Sequence, residues 1–492
     1  MTDLNKLASG LSAIVGKANV VTDDVVLTEY VGRYKGFEPV AKPIGMVYAH
    51  TTEEIQAIVK FIGEEIGCGI VTCSTESNVK LTASALPAAG TEAIVLNLSR
   101  MKRIFRIDKR NRVVFVEPGV TFAELEQALK GTGLKLDYPF LARPEKSVIA
   151  ALLDRDPITV PLNVWDTNDP MLCLEVVFGD GTMFRTGSAA GPGTLEEQWR
   201  AGVAMNNPLG PSHTDFARVL SGSQGTLGVV CWASIKVEFE LSEERMLYVE
   251  GDCVEKMAPV AWNGIRRRLG NNYAILNDFA LGCAIGVDSD EIDAIAAKAA
   301  PWTMAINMAG KRIRPAQKVE YQTKDLKDLA VSHPIRQKVV DKIEAVDNLR
   351  VQKILTGLNP GKLWKHRYLG NAVDIFFLTT LDKADHFAAV AQNAIQGRAK
   401  MAVYIQPTMQ GRSCHLELVI PYADAELGKE LEKTVTEALL EAGAFFSRPY
   451  GICKDQIFAR APMQVKTIEK LKKMFDQKHL FNPNRFYEEV AK

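Results

Sequence analysis

The chain has 492 residues, which is too many for one ordinary hydrophobic core and indicates two or three domains. Lysine and arginine together number 59, as do aspartate and glutamate, so the formal net charge is zero. This balance argues against the clustered positive charge of a nucleic-acid-binding protein and mildly favours association with other proteins.

The amino terminus is polar and lacks the apolar core of a signal peptide, and no apolar run approaches the length of a membrane span. The eight cysteines are scattered, without a Cys-x-x-Cys pair. We therefore expect reduced thiols in a cytoplasmic protein rather than a disulfide framework. No close histidine pair is followed by a glutamate, so no metal site is predicted.

The first predicted elements alternate between helix and strand. An amphipathic helix is predicted for residues 3–15, whereas residues 22–43 lack a periodic apolar pattern and are predicted to be irregular. After a strand at 46–50, Thr51 and Glu54 have the spacing of a capping box. The helix that they open, at 53–66, has four apolar residues on one face: Ile55, Ile58, Val59 and Ile62.

The stretch after the next strand, 69–73, has the composition of a phosphate-binding loop. Small and hydroxyl-bearing residues run from 74 to Leu86. Such a loop leaving a buried strand can lay backbone N–H groups against a phosphate-bearing cofactor. This loop nevertheless contains no glycine and carries Glu76 and Lys80.

The remaining elements complete two α+β regions. In the first, strands are predicted at 93–98, 105–108, 113–116, 172–178 and 235–239, with a capped helix at 122–130. In the second, an antiparallel sheet is predicted from strands at 246–249, 274–276, 402–405 and 416–420. Its helices are predicted at 254–269, 291–299, 335–346, 381–396 and 424–442, and a last amphipathic helix at 463–475.

Several motifs, taken in order, resemble one family across nearly the whole chain. They are Ser99-Arg-Met-Lys-Arg-Ile, Val116-Glu-Pro-Gly-Val-Thr-Phe-Ala-Glu-Leu, Leu174-Glu-Val-Val-Phe-Gly-Asp-Gly-Thr-Met-Phe-Arg-Thr-Gly, Ser223-Gln-Gly-Thr-Leu-Gly and Phe481-Asn-Pro-Asn. Together they resemble the vanillyl-alcohol oxidase / p-cresol methylhydroxylase family. Ser74-Thr-Glu-Ser-Asn and Ser147-Val-Ile-Ala-Ala-Leu-Leu-Asp-Arg are most similar to the branch that oxidises 4-alkylphenols.

The resemblance implies an α+β, two-domain fold of the p-cresol methylhydroxylase type. A domain that binds FAD would span residues 1–240, a cap domain 241–445, and a C-terminal segment returning to the first domain 446–492. The residues implied to contact FAD are Ser74, Thr75, Glu76, Ser77, Asn78, Ser147, Gly225 and Val229. The implied catalytic residues are Arg448, Asp166, His415 and Tyr450, with Asp169 as the alternative to Asp166.

The chain departs from the family's pattern in both cofactor loops. Glycines of the first loop correspond to Glu76, Lys80 and Thr82, and glycines of the second to Ala150, Asp156 and Ile158. Glycine there allows positive φ and close backbone approach to phosphate. A side chain in the left-handed region costs about 1–2 kcal/mol, and a carboxylate touching phosphate adds about 4 kcal/mol of repulsion at an effective dielectric constant of about 20.

The substrate site departs as well. The family's two phenolate-binding tyrosines correspond to Leu81 and Ser447, and only the arginine, Arg448, remains. The position of a covalent flavin histidine in part of the family corresponds to Asp374, so no histidyl linkage is expected there.

Two functions remain open on the sequence. The first is a subunit of a flavin-dependent oxidoreductase, of dehydrogenase or hydroxylase type, acting on a small aromatic or hydroxylated substrate and passing electrons to a partner or to oxygen. The second is an FAD-less, non-catalytic paralogue that forms a hetero-oligomer with an active family member. A metal-dependent hydroxyacid dehydrogenase of a related branch is a more distant third.

Each candidate residue also has a plain structural interpretation. Arg448 could form a salt bridge at a helix entrance, and Asp166 lies in a polar loop where a cap or turn residue is common. His415 lies on an apolar strand, where a hydrogen-bonded core histidine is common. Tyr450 is close enough in sequence to Arg448 to replace a lost tyrosine.

Overall fold

The computed structural model describes residues 2–77, 79–164 and 169–486, and it has the α+β class that the sequence predicts. Its strands are β1 Val20–Val21, β2 Gly45–Tyr48, β3 Gly69–Cys73, β4 Ala93–Asn97, β5 Ile104–Asp108, β6 Val113–Val116, β7 Leu134–Lys135, β8 Met171–Val177, β9 Met183–Arg185, β10 Val229–Lys236, β11 Glu238–Phe239, β12 Glu243–Gly251, β13 Asn272–Asn277, β14 Trp302–Gly310, β15 Val339–Val340, β16 Ala372–Thr379, β17 Ala402–Thr408 and β18 Ser413–Pro421.

The α-helices lie between and around these strands. They are α1 Leu4–Val15, α2 Asp24–Gly32, α3 Thr52–Phe61, α4 Phe122–Leu129, α5 Val148–Leu153, α6 Leu195–Arg200, α7 Phe216–Leu220, α8 Val254–Arg266, α9 Asp278–Ile285, α10 Ser289–Ala296, α11 Pro315–Ser332, α12 Asn348–Thr356, α13 Ala384–Ile395, α14 Ala425–Glu441, α15 Lys454–Ala459 and α16 Pro462–Phe475.

The first half of the chain builds two larger sheets and a two-stranded one, β11-β7. One has the order β1-β2-β4-β3, and its strands β2, β4 and β3 run parallel. All five residues of β4 are buried, as expected for a central strand covered on both faces. The other sheet has the order β5-β6-β10-β8-β9 and is antiparallel.

The second half builds one antiparallel sheet of seven strands, in the order β15-β12-β14-β13-β17-β18-β16. Helices α8, α11, α13 and α14 cover one face with a large apolar core, and α9, α10 and α12 contribute to a second core on the other. Strand β16 is an edge strand of this sheet. One face of β16 and β18 forms a wall of the cavity described below.

The C-terminal segment packs against the first sheet. Ile70 of β3 donates its backbone N–H to Leu480, and Asn482 donates back to Ile70. The buried ammonium group of Lys472 donates to the backbone oxygens of Thr226 and Phe481. These bonds connect β3, the turn before β10 and the chain end.

Most predicted elements are confirmed, but three predictions are wrong. Helix α2 lies inside the stretch predicted to be irregular. Asp23 caps the helix, but only Leu27 and Tyr30 are buried, so the sequence shows no periodic apolar face. Residues 335–346 form no helix; within them the two adjacent valines of β15 pair with β12. Glu54 accepts from the backbone of His50 rather than closing a capping box on Thr51.

Candidate functional site

A cavity of about 320 Å³ lies where the carboxyl end of β3, the turn before β10 and the outer face of β16 and β18 meet. Residues from both halves of the chain and from the C-terminal segment line it. The polar and charged ones include Ser74, Thr75, Ser77, Lys80, Arg143, Lys146, Asp154, Asp156, Lys365, Asp374, His415, Glu417, Arg448 and Tyr450.

The hydroxyl-rich loop after β3 forms one wall. Ser74, Thr75 and Ser77 line the cavity. The hydroxyl of Thr75 accepts a hydrogen bond of 3.0 Å from the backbone N–H of Ser147. Ser147 itself is fully buried, where it caps α5 by accepting from Ala150. Ser147 therefore positions the loop and does not line the cavity.

The glycine positions of the loop do not require glycine in this chain. Thr82 has φ of −114°, and neither Glu76 nor Lys80 is among the described residues with positive φ. Glu76 is exposed, and its carboxylate accepts a 2.8 Å hydrogen bond from Ser99. The strain that the sequence predicts at these positions is absent, and Glu76 does not line the cavity.

The turn at 223–228 forms the floor beside the loop. Gly225 has φ of +71°, and a Cβ atom on it would lie 3.0 Å from the hydroxyl oxygen of Thr72. The preceding residue, Gln224, donates to the backbone of Pro449 and accepts at its backbone oxygen from Asn482. The C-terminal segment therefore fixes the shape of this turn.

The opposite wall carries a chain of paired ionic groups. Lys365 Nζ lies 2.6 Å from Asp374 Oδ2 and 2.5 Å from Glu417 Oε1. The second oxygen of Glu417 lies 2.9 Å from His415 Nε2. Strand pairing explains the arrangement, because Glu417 lies opposite Phe376, and Asp374 precedes Phe376 by two residues on the same face.

These contacts set the protonation states of the wall. Burial raises the pKa of Asp374 to about 6, although Lys365 opposes that rise. Burial also acts to raise the pKa of Glu417, but Lys365 and His415 bring it down to about 2. Burial lowers the pKa of His415 against the pull of Glu417. An ionised Glu417 can only accept, so His415 Nε2 donates to it and Nδ1 is left as the proton-accepting atom.

Arg448 lies between the two walls. Its guanidinium donates to the backbone oxygen of Asp154 and lies 4.6 Å from the ring centroid of Phe376. The hydroxyl of Tyr450 donates to the carboxylate of Asp154 at 3.3 Å. Burial strongly raises the pKa of Tyr450, so its hydroxyl stays protonated.

Beside Arg448, two carboxylates share one lysine. Lys146 Nζ lies 2.6 Å from Asp156 and 3.9 Å from Asp154. Burial raises the pKa of Asp154, and the nearer lysine contact of Asp156 is one reason that its own pKa is lowered despite burial. The pair therefore places a carboxyl with a raised pKa next to an ionised carboxylate.

The predicted catalytic residues Arg448, His415 and Tyr450 all line the cavity. Asp166 and Asn78 lie outside the described residues. Asp169, the alternative to Asp166, lines a small side cavity together with His415 and Arg448.

The other positions named from the sequence are divided among the main cavity, the small side cavity and the core. Leu81 lines the main cavity and Ser447 the small side cavity. Val229 packs into the core of the first sheet, and its neighbours Gly228 and Val230 line the cavity instead.

Several lining residues were not identified from the sequence: Arg143, Lys146, Asp154, Lys365 and Glu417. Glu417 follows His415 by two residues on a strand, so alternation places both side chains on one face and was a usable signal. Lys365 meets Glu417 only through the fold, and no local pattern indicates that contact.

The residues present fit an FAD molecule. Gly225 brings bare backbone to the cavity, the hydroxyl loop lines it, and the exposed carboxylate of Glu76 is not among its lining residues. Lys80 is only 9 % exposed, and among the described residues no carboxylate forms an ion pair with it. A buried cation beside a hydroxyl-rich loop suits the anionic part of a dinucleotide.

Two absences and one cysteine observation hold for the described residues. Within ranges 2–77, 79–164 and 169–486, no group of three or more histidine, cysteine, aspartate or glutamate side chains could hold a metal ion. No helix in these ranges is both long and apolar enough to cross a membrane. All eight cysteines are free thiols.

Comparison with known proteins identifies related sequences and folds. Residues 43–187 match the FAD binding domain family. The 4-cresol dehydrogenase [hydroxylating] flavoprotein subunit of Pseudomonas putida is 30% identical over 198 residues, which are 39% of this chain and 36% of that protein. The chain matches less than half of the length of its curated relatives.

Solved structures match over nearly the whole chain. The crystal structure of p-cresol methylhydroxylase with substrate bound has a TM-score of 0.79 at 18% identity and covers 98% of this chain and 97% of its own. 4-Ethylphenol oxidase from Gulosibacter chungangensis has a TM-score of 0.78 at 17% identity, with 99% and 97% covered. These two likenesses show the two-domain fold. The FAD-binding sequence match and the 4-cresol dehydrogenase relative agree with the resemblance to the vanillyl-alcohol oxidase / p-cresol methylhydroxylase family that the sequence motifs predict.

Proposed function

We propose that this protein is a flavin-dependent oxidoreductase that binds FAD without a histidyl link and oxidises a small aromatic or hydroxylated substrate. The observation that carries the proposal is the cavity itself. It joins the hydroxyl loop and the Gly225 turn on one side to a wall of titratable groups on the other. This pairing of a hydroxyl-rich loop and a glycine turn with acid–base groups suits redox chemistry on a bound cofactor.

The cofactor would be held by the first wall. Ser74, Thr75 and Ser77 supply hydroxyls and backbone groups, and Gly225 allows close approach. Bound there, FAD would supply the ring that accepts a hydride from a substrate C–H bond. Asp374, at the position of the covalent histidine in part of the family, is engaged by Lys365 at 2.6 Å, which favours a non-covalent cofactor.

The chain's own side chains would orient the substrate and handle protons. Arg448 can hold an anionic oxygen, because among the described residues no carboxylate forms an ion pair with its guanidinium. Tyr450 keeps its hydroxyl protonated and can redirect that proton from Asp154 to a substrate oxygen. His415 Nδ1 is positioned to accept a proton, while Glu417 holds the ring in one tautomer. Asp166 stays a predicted base outside the described residues.

The substrate class and partner follow from family analogy, with one difference. Leu81 and Ser447 stand where the family's phenolate-binding tyrosines would stand, so phenolate recognition here rests on Arg448. Electrons would pass to oxygen or to a partner protein, either an electron-transfer protein or a homologous flavoprotein subunit.

The decisive experiment is the visible absorption spectrum of the purified full-length protein, before and after addition of FAD. Stoichiometric bands of oxidised flavin that stay in the supernatant after acid precipitation support non-covalent FAD. Anaerobic bleaching of those bands by a 4-alkylphenol or a related hydroxylated compound supports the activity.

A matched pair of variants then tests the role of Arg448. We expect Arg448→Gln to slow bleaching by about two orders of magnitude, as for loss of one charged contact to a developing oxyanion. Arg110→Gln, in an exposed turn remote from the cavity, should leave bleaching unchanged.

One observation favours the second candidate, a structural subunit without FAD. Arg448 is already bonded to the backbone of Asp154, so the site is partly closed by its own groups. A protein that stays colourless with excess FAD and copurifies with a yellow paralogue would support that function and contradict the first.

A further inference from the structure

Lys80 is a buried cation that lacks an anionic partner among the described residues. Its ammonium group lies 3.4 Å from the sulfur of Cys73 and 4.6 Å from the ring centroid of Tyr30. A neutral thiol and an aromatic face compensate poorly for the water that a buried ammonium loses. The group lines the cavity, so an anion bound there would supply the missing partner.

The backbone fixes the position of Lys80. Its N–H donates to the backbone oxygen of Arg33 at 2.8 Å, and its own oxygen accepts from Lys35 at 3.0 Å. These two bonds tie the end of the hydroxyl loop to the residues that follow α2. The side chain is therefore presented from an anchored point rather than from a free loop.

Arg143 is a second cation, and its side chain contacts the same loop from a later part of the chain. Its guanidinium donates to the hydroxyl of Ser77 at 2.9 Å and to the backbone oxygen of Val79 at 3.3 Å. Both acceptors are neutral, and no ion pair involving Arg143 occurs in the part of the chain that the structure describes. Lys80 and Arg143 therefore bring uncompensated positive charge to one stretch of the cavity wall.

The other cations of the cavity are paired with carboxylates or lie elsewhere. Lys146 is paired with Asp156, and Lys365 with Asp374 and Glu417. Arg448 contacts Asp154 and Phe376 rather than the loop after β3. An anion with more than one charge is therefore best accommodated beside the loop after β3.

We propose that Lys80 and Arg143 hold the diphosphate of the bound dinucleotide through their side chains, replacing the backbone amides that a glycine-rich loop would offer. This inference rests on the proposed function, because it assumes that FAD occupies the cavity. In this proposal Lys80, which stands where the family has a glycine, has a role in binding the cofactor. Ionic hydrogen bonds to phosphate are stronger than those from neutral amides, so two cations can replace several N–H groups.

The test compares flavins with and without the diphosphate. Flavin-free full-length protein is titrated with FAD and with riboflavin, and binding is followed by the flavin fluorescence. We expect Lys80→Met and Arg143→Met each to weaken FAD binding by about ten- to a hundredfold and to leave riboflavin binding unchanged. Lys109→Met, in an exposed turn of the same half of the chain, is the charge-matched control and should leave both affinities unchanged.

The salt dependence of FAD binding by the unmodified protein gives an independent measurement, which does not depend on the folding of any variant. Affinity for FAD should fall as salt rises, and affinity for riboflavin should not. Equal losses for FAD and riboflavin in both variants, or FAD binding that neither the variants nor salt weaken, would overturn the inference alone. A protein that binds neither flavin would instead overturn the proposed function.

Discussion

The two walls of the cavity carry charge in opposite ways. On the wall built by the β3 loop, Lys80 and Arg143 contact a thiol, a hydroxyl and a backbone oxygen. On the wall built by β16 and β18, Lys365 is shared by Asp374 and Glu417. The first wall is suited to attract an anion, whereas the charges of the second wall are neutralised internally and suit it to proton transfer.

This difference means that the lysine of the first wall should matter for ligand binding and the lysine of the second wall for the stability of the fold. A cation without a carboxylate partner contributes little to the stability of the ligand-free fold, because its burial is not repaid by an ion pair. A cation between two buried carboxylates stabilises the fold, because it compensates the charge of both. Variants that remove one lysine from each wall should therefore behave very differently.

The largest expected effect is on the second wall. Lys365→Met leaves two carboxylates facing each other without a counter-ion, and we expect a loss of about 3–5 kcal/mol in the free energy of unfolding. Lys80→Met removes a buried charge that has no carboxylate partner in the described chain, so the ligand-free protein should lose little stability or gain some. Urea denaturation of both flavin-free variants measures the contrast, and similar losses for the two would contradict it.

The second expected effect distinguishes the two carboxylates on Lys365. Glu417 is bonded to both Lys365 and His415 and has a pKa of about 2, so it is ionised throughout the neutral range. Glu417→Gln should therefore destabilise the protein by about 1.5–3 kcal/mol at neutral pH, the usual contribution of a charged hydrogen bond. Chemical denaturation at several pH values measures it.

Asp374→Asn is the matched control for that variant. Burial raises the pKa of Asp374 from 3.8 to about 6, so ionising it costs the folded state. Stability linked to the protonated carboxyl is present at low pH and is lost as pH rises through about 6. Asparagine resembles the protonated form of the carboxyl, so Asp374→Asn should lower the free energy of unfolding by less than Glu417→Gln does. It should also make the decline of stability with rising pH shallower above pH 4. A larger loss for Asp374→Asn would reverse the assignment of charge between the two.

The sequence predicted the first wall better than the second. Strand β3 was predicted with its observed bounds, and the hydroxyl loop and the Gly225 turn carry local motifs. The φ values at Glu76 and Thr82 could not be read from family glycines, because neither residue has a positive φ here. Lys365 and Glu417 lie 52 positions apart and meet only through the packing of a helical turn on the edge of a sheet.

The third expected effect concerns the backbone of the first wall. Gly225→Ala places a Cβ atom at φ of +71° and 3.0 Å from the hydroxyl oxygen of Thr72. We expect a loss of about 1–2 kcal/mol from the backbone alone. Gly90→Ala isolates that contribution, because φ is +75° there and nothing lies within 4 Å. Thermal unfolding should show a larger loss at Gly225, with weaker FAD binding; equal losses and unchanged binding would mean that close approach at Gly225 is unimportant.

The smallest expected effect is a change in pH dependence on the second wall. Burial lowers the pKa of His415 below its usual 6.5, so the folded protein resists protonation at a site that the unfolded chain protonates readily. Stability linked to the neutral ring is therefore present at higher pH and is lost as pH falls below 6.5. His415→Gln can still donate to Glu417 but cannot take up a proton, so the fall in melting temperature over this range should become shallower. His213→Gln, at an exposed histidine, should keep the slope of the unmodified protein. If the His415 variant keeps that slope too, the imidazole is not held neutral, and the second wall would carry one more positive charge than its contacts indicate.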